Sequence, residues 1–182
     1  MRRRTMAAML AGVVAFGCGD DAEDKTPFEP GLDRAEVAGV YDIGRLTFDP
    51  DGTLLSEIDV AGRLDPAITP YFLVALDGTV QLVFIDPVSK KLEVSEGVYE
   101  TLTDGIRVKF ESAEDAKAAE KVLLPQRFDL AYTAINETLS FRGRSRITLA
   151  RLIELKPEWK GEQLGDPVSG QLDVVFEKRV EN

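Results

Sequence analysis

The feature that most constrains this chain is an alternation of apolar and polar residues, repeated in short segments. Ile106, Val108 and Phe110 alternate with Arg107, Lys109 and Glu111, and Phe128, Leu130 and Tyr132 alternate with Asp129, Ala131 and Thr133. Leu172, Val174 and Phe176 repeat the pattern near the C-terminus. Successive side chains of a strand point to opposite faces, so a period of two with one apolar face means a sheet with one side on a core and one in water. Further strand-like runs occupy 40–48, 71–76, 79–85, 92–102 and 106–112. Turn residues separate them: Asp49-Pro50-Asp51-Gly52, Asp77-Gly78 and Thr103-Asp104-Gly105. Asp77-Gly78 is the strongest hairpin signal, with a type I′ turn as the expected form. A short helical turn is expected at 32–38. One helix interrupts the β pattern at 113–124, where Ser112 and Asp115 have capping-box spacing and Pro125 ends the run. Eight to ten strands joined mostly by hairpins, with one short helix, predict a mainly β domain. An antiparallel up-and-down barrel satisfies that count and leaves no open edge.

The N-terminus is of another kind. Arg2, Arg3 and Arg4 precede an apolar run over 6–16, and small residues lead to Gly17-Cys18. The run is far shorter than the roughly 20 residues that span a bilayer, so it reads as a signal peptide over 1–17. Ala15-Phe16-Gly17-Cys18 resembles the lipobox of bacterial lipoproteins. That resemblance implies that Cys18, the single cysteine, is diacylated and becomes the mature N-terminus. The plainer alternative is an ordinary secretory signal followed by an unpaired cysteine. Residues 18–31 carry five acidic residues and two prolines with little apolar content, the composition of a flexible tether. Residues 32–182 form the remaining domain. The expected location is therefore the cell envelope, lipid-anchored at the outer membrane or a periplasmic face.

The order of the β segments resembles the lipocalin-like (calycin) barrels. In that family a helical turn leads into a first strand opened by Gly-x-Trp, followed by an antiparallel meander. Here Val37-Ala38-Gly39-Val40-Tyr41 stands in that place, with Tyr41 at the tryptophan position, and the segment from Gly170 to Arg179 resembles the closing strand. The family's late arginine, which packs over the first-strand aromatic, carries over to Arg179 or, failing that, Lys178. The resemblance implies a barrel open at one end that takes a small, mostly apolar molecule. The side chains placed to line it are Tyr41, Phe72, Phe84, Tyr99, Phe110 and Tyr132, which serve equally well as plain core.

Absences narrow the chemistry. The chain has no histidine, which removes the commonest general base and transition-metal ligand. With Cys18 committed to anchoring, no thiolate nucleophile or zinc–thiolate site remains. No phosphate-binding glycine loop or dinucleotide fingerprint is present. The expectation is a protein that is not an enzyme and carries no cofactor or metal. Asp49-x-Asp51-Gly52 opens like a calcium loop but lacks the later ligands, and reads as a turn. Once residues 1–17 leave with their three arginines, 19 basic and 32 acidic residues remain, a net charge of −13. Nucleic acid and anionic lipid surfaces repel such a surface.

Two functions follow: non-catalytic binding of a small apolar or amphipathic molecule in the barrel, or a filled barrel that contacts another envelope protein through its surface. Arg142, Arg144 and Arg146 bear on the second. Alternate positions on one strand share a face, so the three make a positive ladder for an anionic ligand or partner, unless acidic residues on the neighbouring strand pair with them. Trp159, in the polar loop 156–169, is either an exposed contact or a loop anchor. On the ladder reading, Arg144→Glu abolishes binding of an acidic ligand while leaving the unfolding transition in place. Unchanged affinity in a titration excludes that role.

Overall fold

The computed structural model describes residues 31–52, 55–65, 67–162 and 164–180. The expected signal peptide, Cys18 and all of the tether except Gly31 lie outside the described residues. Nine strands form one antiparallel sheet: β1 (Gly39–Pro50), β2 (Ile58–Asp59), β3 (Tyr71–Val74), β4 (Thr79–Ile85), β5 (Leu92–Thr101), β6 (Gly105–Lys109), β7 (Arg127–Thr133), β8 (Thr138–Ile147) and β9 (Val168–Lys178). Eight of them follow one another around a ring, and β9 returns to pair with β1, which closes the barrel; β2 is an extra strand beside the far half of β1. The expected mainly β, up-and-down barrel is what the chain forms.

Closure follows from the pattern of alternate residues. Phe72 and Val74, Val80, Leu82 and Phe84, Ile106 and Val108, Phe128 and Leu130, and Leu172, Val174 and Phe176 are all buried on the inner side. They join Tyr41, Leu46, Phe48, Phe110 and Leu139 in one continuous core. Rings pack against rings: Phe72 stacks on Phe176 at 4.7 Å between centroids, and Phe128 lies between Phe110 at 6.2 Å and Phe141 at 6.1 Å. Such pairs add about 0.5–1.5 kcal/mol beyond the area they bury. Gly170 is needed where β9 crosses β1, because a Cβ there would lie 2.6 Å from the Phe48 ring and 2.4 Å from the Asp49 carbonyl oxygen.

The chain enters at one end of the barrel. The Leu32 amide donates to the Leu102 carbonyl at 2.8 Å, beside the hairpins β3–β4, β5–β6 and β7–β8. The helical turn α1 (Arg34–Val37) sits there, opened by an Asp33–Glu36 capping box and tied by the Tyr41 hydroxyl, which donates to the Val37 carbonyl at 2.7 Å. The β3–β4 loop is not the expected type I′ turn. The Gly78 amide bonds to the Ala75 carbonyl and positive φ occurs at Gly78 but not Asp77, while Asp77 accepts from the Thr79 amide and hydroxyl. Arg179 does not pack over Tyr41 either. It donates to Asp42 on the outer surface, and the cation over a ring at this end is Arg34, 5.6 Å from the Tyr99 centroid.

The opposite end is closed by α2 (Ala113–Glu120), α3 (Leu149–Leu155) and a 3₁₀ turn (Pro157–Trp159). The sequence predicts a helix to residue 124, but α2 stops at Glu120. Val122, Leu123 and Leu124 are all buried, and three consecutive side chains of a helix cannot share a face. The chain instead turns in a Schellman motif, with Leu123 at φ 65° and the Leu124 amide donating to the Ala119 carbonyl. Helix α3 was not expected; Thr148 caps it, and Leu152 and Leu155 anchor it in the core. Trp159 follows, 2 % exposed, with the Lys156 ammonium 5.1 Å from its ring centroid, so it is a loop anchor.

Phe176→Ala removes the ring that β9 contributes to the stack with Phe72. It is expected to cost about 3–5 kcal/mol in urea unfolding, against under about 0.5 kcal/mol for Arg142→Ala on the outer face.

Candidate functional site

The polar end opposite the chain entry is where side chains of distant segments meet. Its buried charges are Asp86, just past the end of β4, 3 % exposed, and Arg151 on α3 and Lys156 after it, each 8 % exposed. The Arg151 guanidinium donates to Asp86 at 2.9 Å, to the Lys121 carbonyl at 3.0 Å and to Glu154 at 2.8 Å. Asp86 accepts further from the Ser89 hydroxyl at 2.6 Å and from the amides of Val88 and Ser89. Burial alone would raise the Asp86 pKa. The hydrogen bonds from Ser89, Arg151 and the two amides outweigh it and hold the carboxyl at about 2. Every lone pair direction is used to tie three elements together, and the arrangement is that of a strut.

A cleft of about 780 Å³ opens beside this strut, between α2 and the far half of β8. Leu123, Leu124, Pro125, Phe141 and Ile147 give it an apolar floor, and Lys117, Arg127, Arg144 and Arg146 stand around it. Glu120 is the one acidic residue in its lining. Arg144 pairs with Asp51 across the outer surface. The side chains of Lys117, Arg127 and Arg146 make no hydrogen bond or ion pair among the described residues, although the Arg127 charge helps to hold the Asp129 carboxyl low. The ladder is therefore real as geometry: Arg142, Arg144 and Arg146 are all exposed on the outer face of β8. Arg142 sits opposite Asp173 in register, but that carboxylate accepts from Arg45 at 3.3 Å. Among the described residues, Asp51 thus neutralises the middle rung and the side chains of Arg142 and Arg146 are left without an acidic partner.

The six aromatic residues expected to line the barrel all belong to, or pack against, the core. Tyr41, Phe72, Phe84 and Phe110 are fully buried, Tyr99 is 5 % exposed, and Tyr132 is half-buried. Burial pushes the Tyr41 hydroxyl well above the usual phenol range, and burial likewise raises Tyr99, whose hydroxyl donates to the Ala75 carbonyl at 2.8 Å. Cys18 lies outside the described residues. Lys117 and Arg127, by contrast, carried no motif in the sequence. They reach the cleft because α2 and the start of β7 border it across from the end of β8, where the two strands have parted. The Asp86–Arg151 pair joins residues 65 positions apart and likewise left no local signal.

Among the described residues no group of three or more His, Cys, Asp or Glu side chains is placed to hold a metal ion. No helix among them is long and apolar enough to cross a membrane. The Asp86 strut makes a testable prediction. A carboxyl whose folded pKa lies below its ordinary 3.8 contributes stability above about pH 4, and that contribution is lost as pH falls toward about 2. Asp86→Asn should lower stability by roughly 3 kcal/mol at neutral pH, because Arg151 loses its buried counter-charge and keeps only the exposed Glu154, and should flatten the acid limb of the urea-midpoint profile.

Comparison with known proteins yields no match: no family model fits the chain, and no curated protein and no solved structure matches it.

Proposed function

We propose that this protein is a lipid-anchored lipoprotein of the bacterial cell envelope, a non-catalytic interaction module whose filled barrel serves as scaffold and whose outer surface binds a partner. The observation that carries this reading is the division of space. The inside of the barrel is taken up by the chain's own rings, with Phe72 stacked on Phe176 and Phe128 between Phe110 and Phe141. The large cleft, with its unpaired cations, lies on the outside. Anchoring rests on Cys18 after the apolar run. Two acyl chains give stable attachment, where one gives marginal binding. The acidic mature chain argues against nucleic acid as a partner. The competing function is a small apolar molecule held in the barrel, which requires the aromatic core to part.

Two measurements test the reading. Cys18→Ala should abolish palmitate labelling and move the exported protein from the membrane fraction to the soluble one; a form that remains membrane-bound and labelled excludes the anchor. Native mass spectrometry of the exported chain should give the bare protein mass. A bound apolar mass released on denaturation would instead establish the barrel interior as the binding site.

A further inference from the structure

We propose that the seam between β7 and β8 accepts an extended acidic segment of a partner polypeptide as an added strand. The inference rests on the surface-binding reading above and gives its partner a chemistry.

The two strands pair at three positions only: Ala131 with Ser140, Tyr132 with Leu139, and Thr133 with Thr138. Beyond them β7 continues back to Arg127 with β6 as its only strand neighbour, and β8 continues to Ile147 with β9 alone. On the side away from β9, Phe141–Ile147 is thus a run of strand edge with no ladder partner among the described residues, about 20 Å long at roughly 3.4 Å per residue. Unpaired edges of this kind are where extended peptides add to sheets.

Two other seams part at the same end of the barrel, and both are filled from within the chain. Where β1 runs beyond its pairing with β3, β2 adds to it, with Thr47 opposite Asp59 and Phe48 opposite Ile58. Where β5 runs beyond its pairing with β6, the first turn of α2 covers it. The Glu96 amide donates to the Asp115 carboxylate at 2.8 Å, and the Ser95 hydroxyl donates to the Asp115 carbonyl at 2.7 Å. At the third seam the described residues supply neither a strand nor a helix turn, and the cleft of about 780 Å³ stands in that place. One carboxylate from α2 satisfies the β5 edge, which shows the chemistry that suits these seams.

Charge fixes the partner. Arg127 on the β7 side, Arg146 on the β8 side and Lys117 on α2 border the cleft without ion pairs among the described residues, in a chain of net charge −10. Alternate side chains of an added strand share the outer face with Arg144 and Arg146, about 7 Å apart, and cross-strand pairs of opposite charge stabilise such an alignment. The residues between them turn inward onto Phe141, Leu123, Leu124 and Ile147. The segment that fits therefore alternates Asp or Glu with Val, Ile or Leu.

A nine-residue peptide alternating Glu and Val, carrying an uncharged dye, is titrated by fluorescence anisotropy into the purified full chain. Saturable binding is expected, weakened at least tenfold by raised salt, by Lys in place of Glu, and by two prolines in place of Val. Arg127→Glu with Arg146→Glu should weaken it at least tenfold. Hydrogen exchange on the unaltered protein should show slowed amides within 141–147 when the peptide is present, a readout independent of whether that variant folds. Absence of saturable binding, equal affinity for the proline peptide, or unchanged exchange at 141–147 overturns strand addition. Native mass spectrometry of the same sample separates the two failures. A bare barrel that ignores the peptide sinks the seam alone, whereas an apolar ligand released on denaturation sinks the surface-binding reading beneath it.

Discussion

The pairing of β1 with β9 is the constraint on which the rest of the molecule depends. It runs from Tyr41 opposite Lys178 to Pro50 opposite Gly170, and it turns a meander with two open edges into a ring. The ring has one inner face, so every strand must send its apolar residues the same way. The register tolerates this only through a shift between Ile43 and Arg45, where a bulge lets β1 bend. That bend has a consequence at the far end. The first half of β1 pairs with β3 and the second half is carried away from it, which opens room for β2. Closure at one edge and splaying at the other are the same geometric fact.

Splaying decides what the far end must supply. A barrel whose strands part exposes both its core and its backbone groups, and hydrogen bonds and buried side chains have to be brought from elsewhere. Helix α2 brings Asp115 to the β5 edge and the buried run Val122, Leu123 and Leu124 to the core. Helix α3 brings Leu152 and Leu155, and its Arg151 ties the Lys121 carbonyl to Asp86. The Lys156 ammonium donates to the carbonyls of Ser56 and Glu57 at 3.2 Å, so the segment before β2 is held from the same side. These are charged groups buried with full sets of partners, which fix positions more than they add stability.

The barrel was legible in the sequence where local physics decides it. The alternation at Ile106, Val108 and Phe110 and at Leu172, Val174 and Phe176 states which residues face inward, because the pleat permits nothing else. Turn chemistry placed the hairpin ends, although Asp77-Gly78 forms a longer loop than its dipeptide implies, since Asp77 spends its carboxylate on Thr79. What was not legible is what tertiary packing decides. Helix α2 ends early because the core claims three consecutive side chains. Helix α3 lies in a segment whose short apolar run fits strand or helix alike. The candidate site followed the same division. The face shared by Arg142, Arg144 and Arg146 could be read from spacing, but the neutralisation of Arg144 by Asp51, and the arrival of Lys117 and Arg127, depend on which strands splay.

The two ends of the barrel stand in a definite relation to the proposed anchor. Leu32 enters beside the hairpin ends, and the cleft opens where β8 finishes, so a strand of about ten residues lies between them. At roughly 3.3 Å per residue and a tilt near 40°, that is about 25 Å along the barrel axis. On the proposed anchoring through Cys18, residues 19–31, five of them acidic, separate the lipid from Leu32. The cationic cleft lies at the end of the barrel opposite the one where the chain enters. A partner that met the module there would be held by backbone pairing along β8 and sorted by charge.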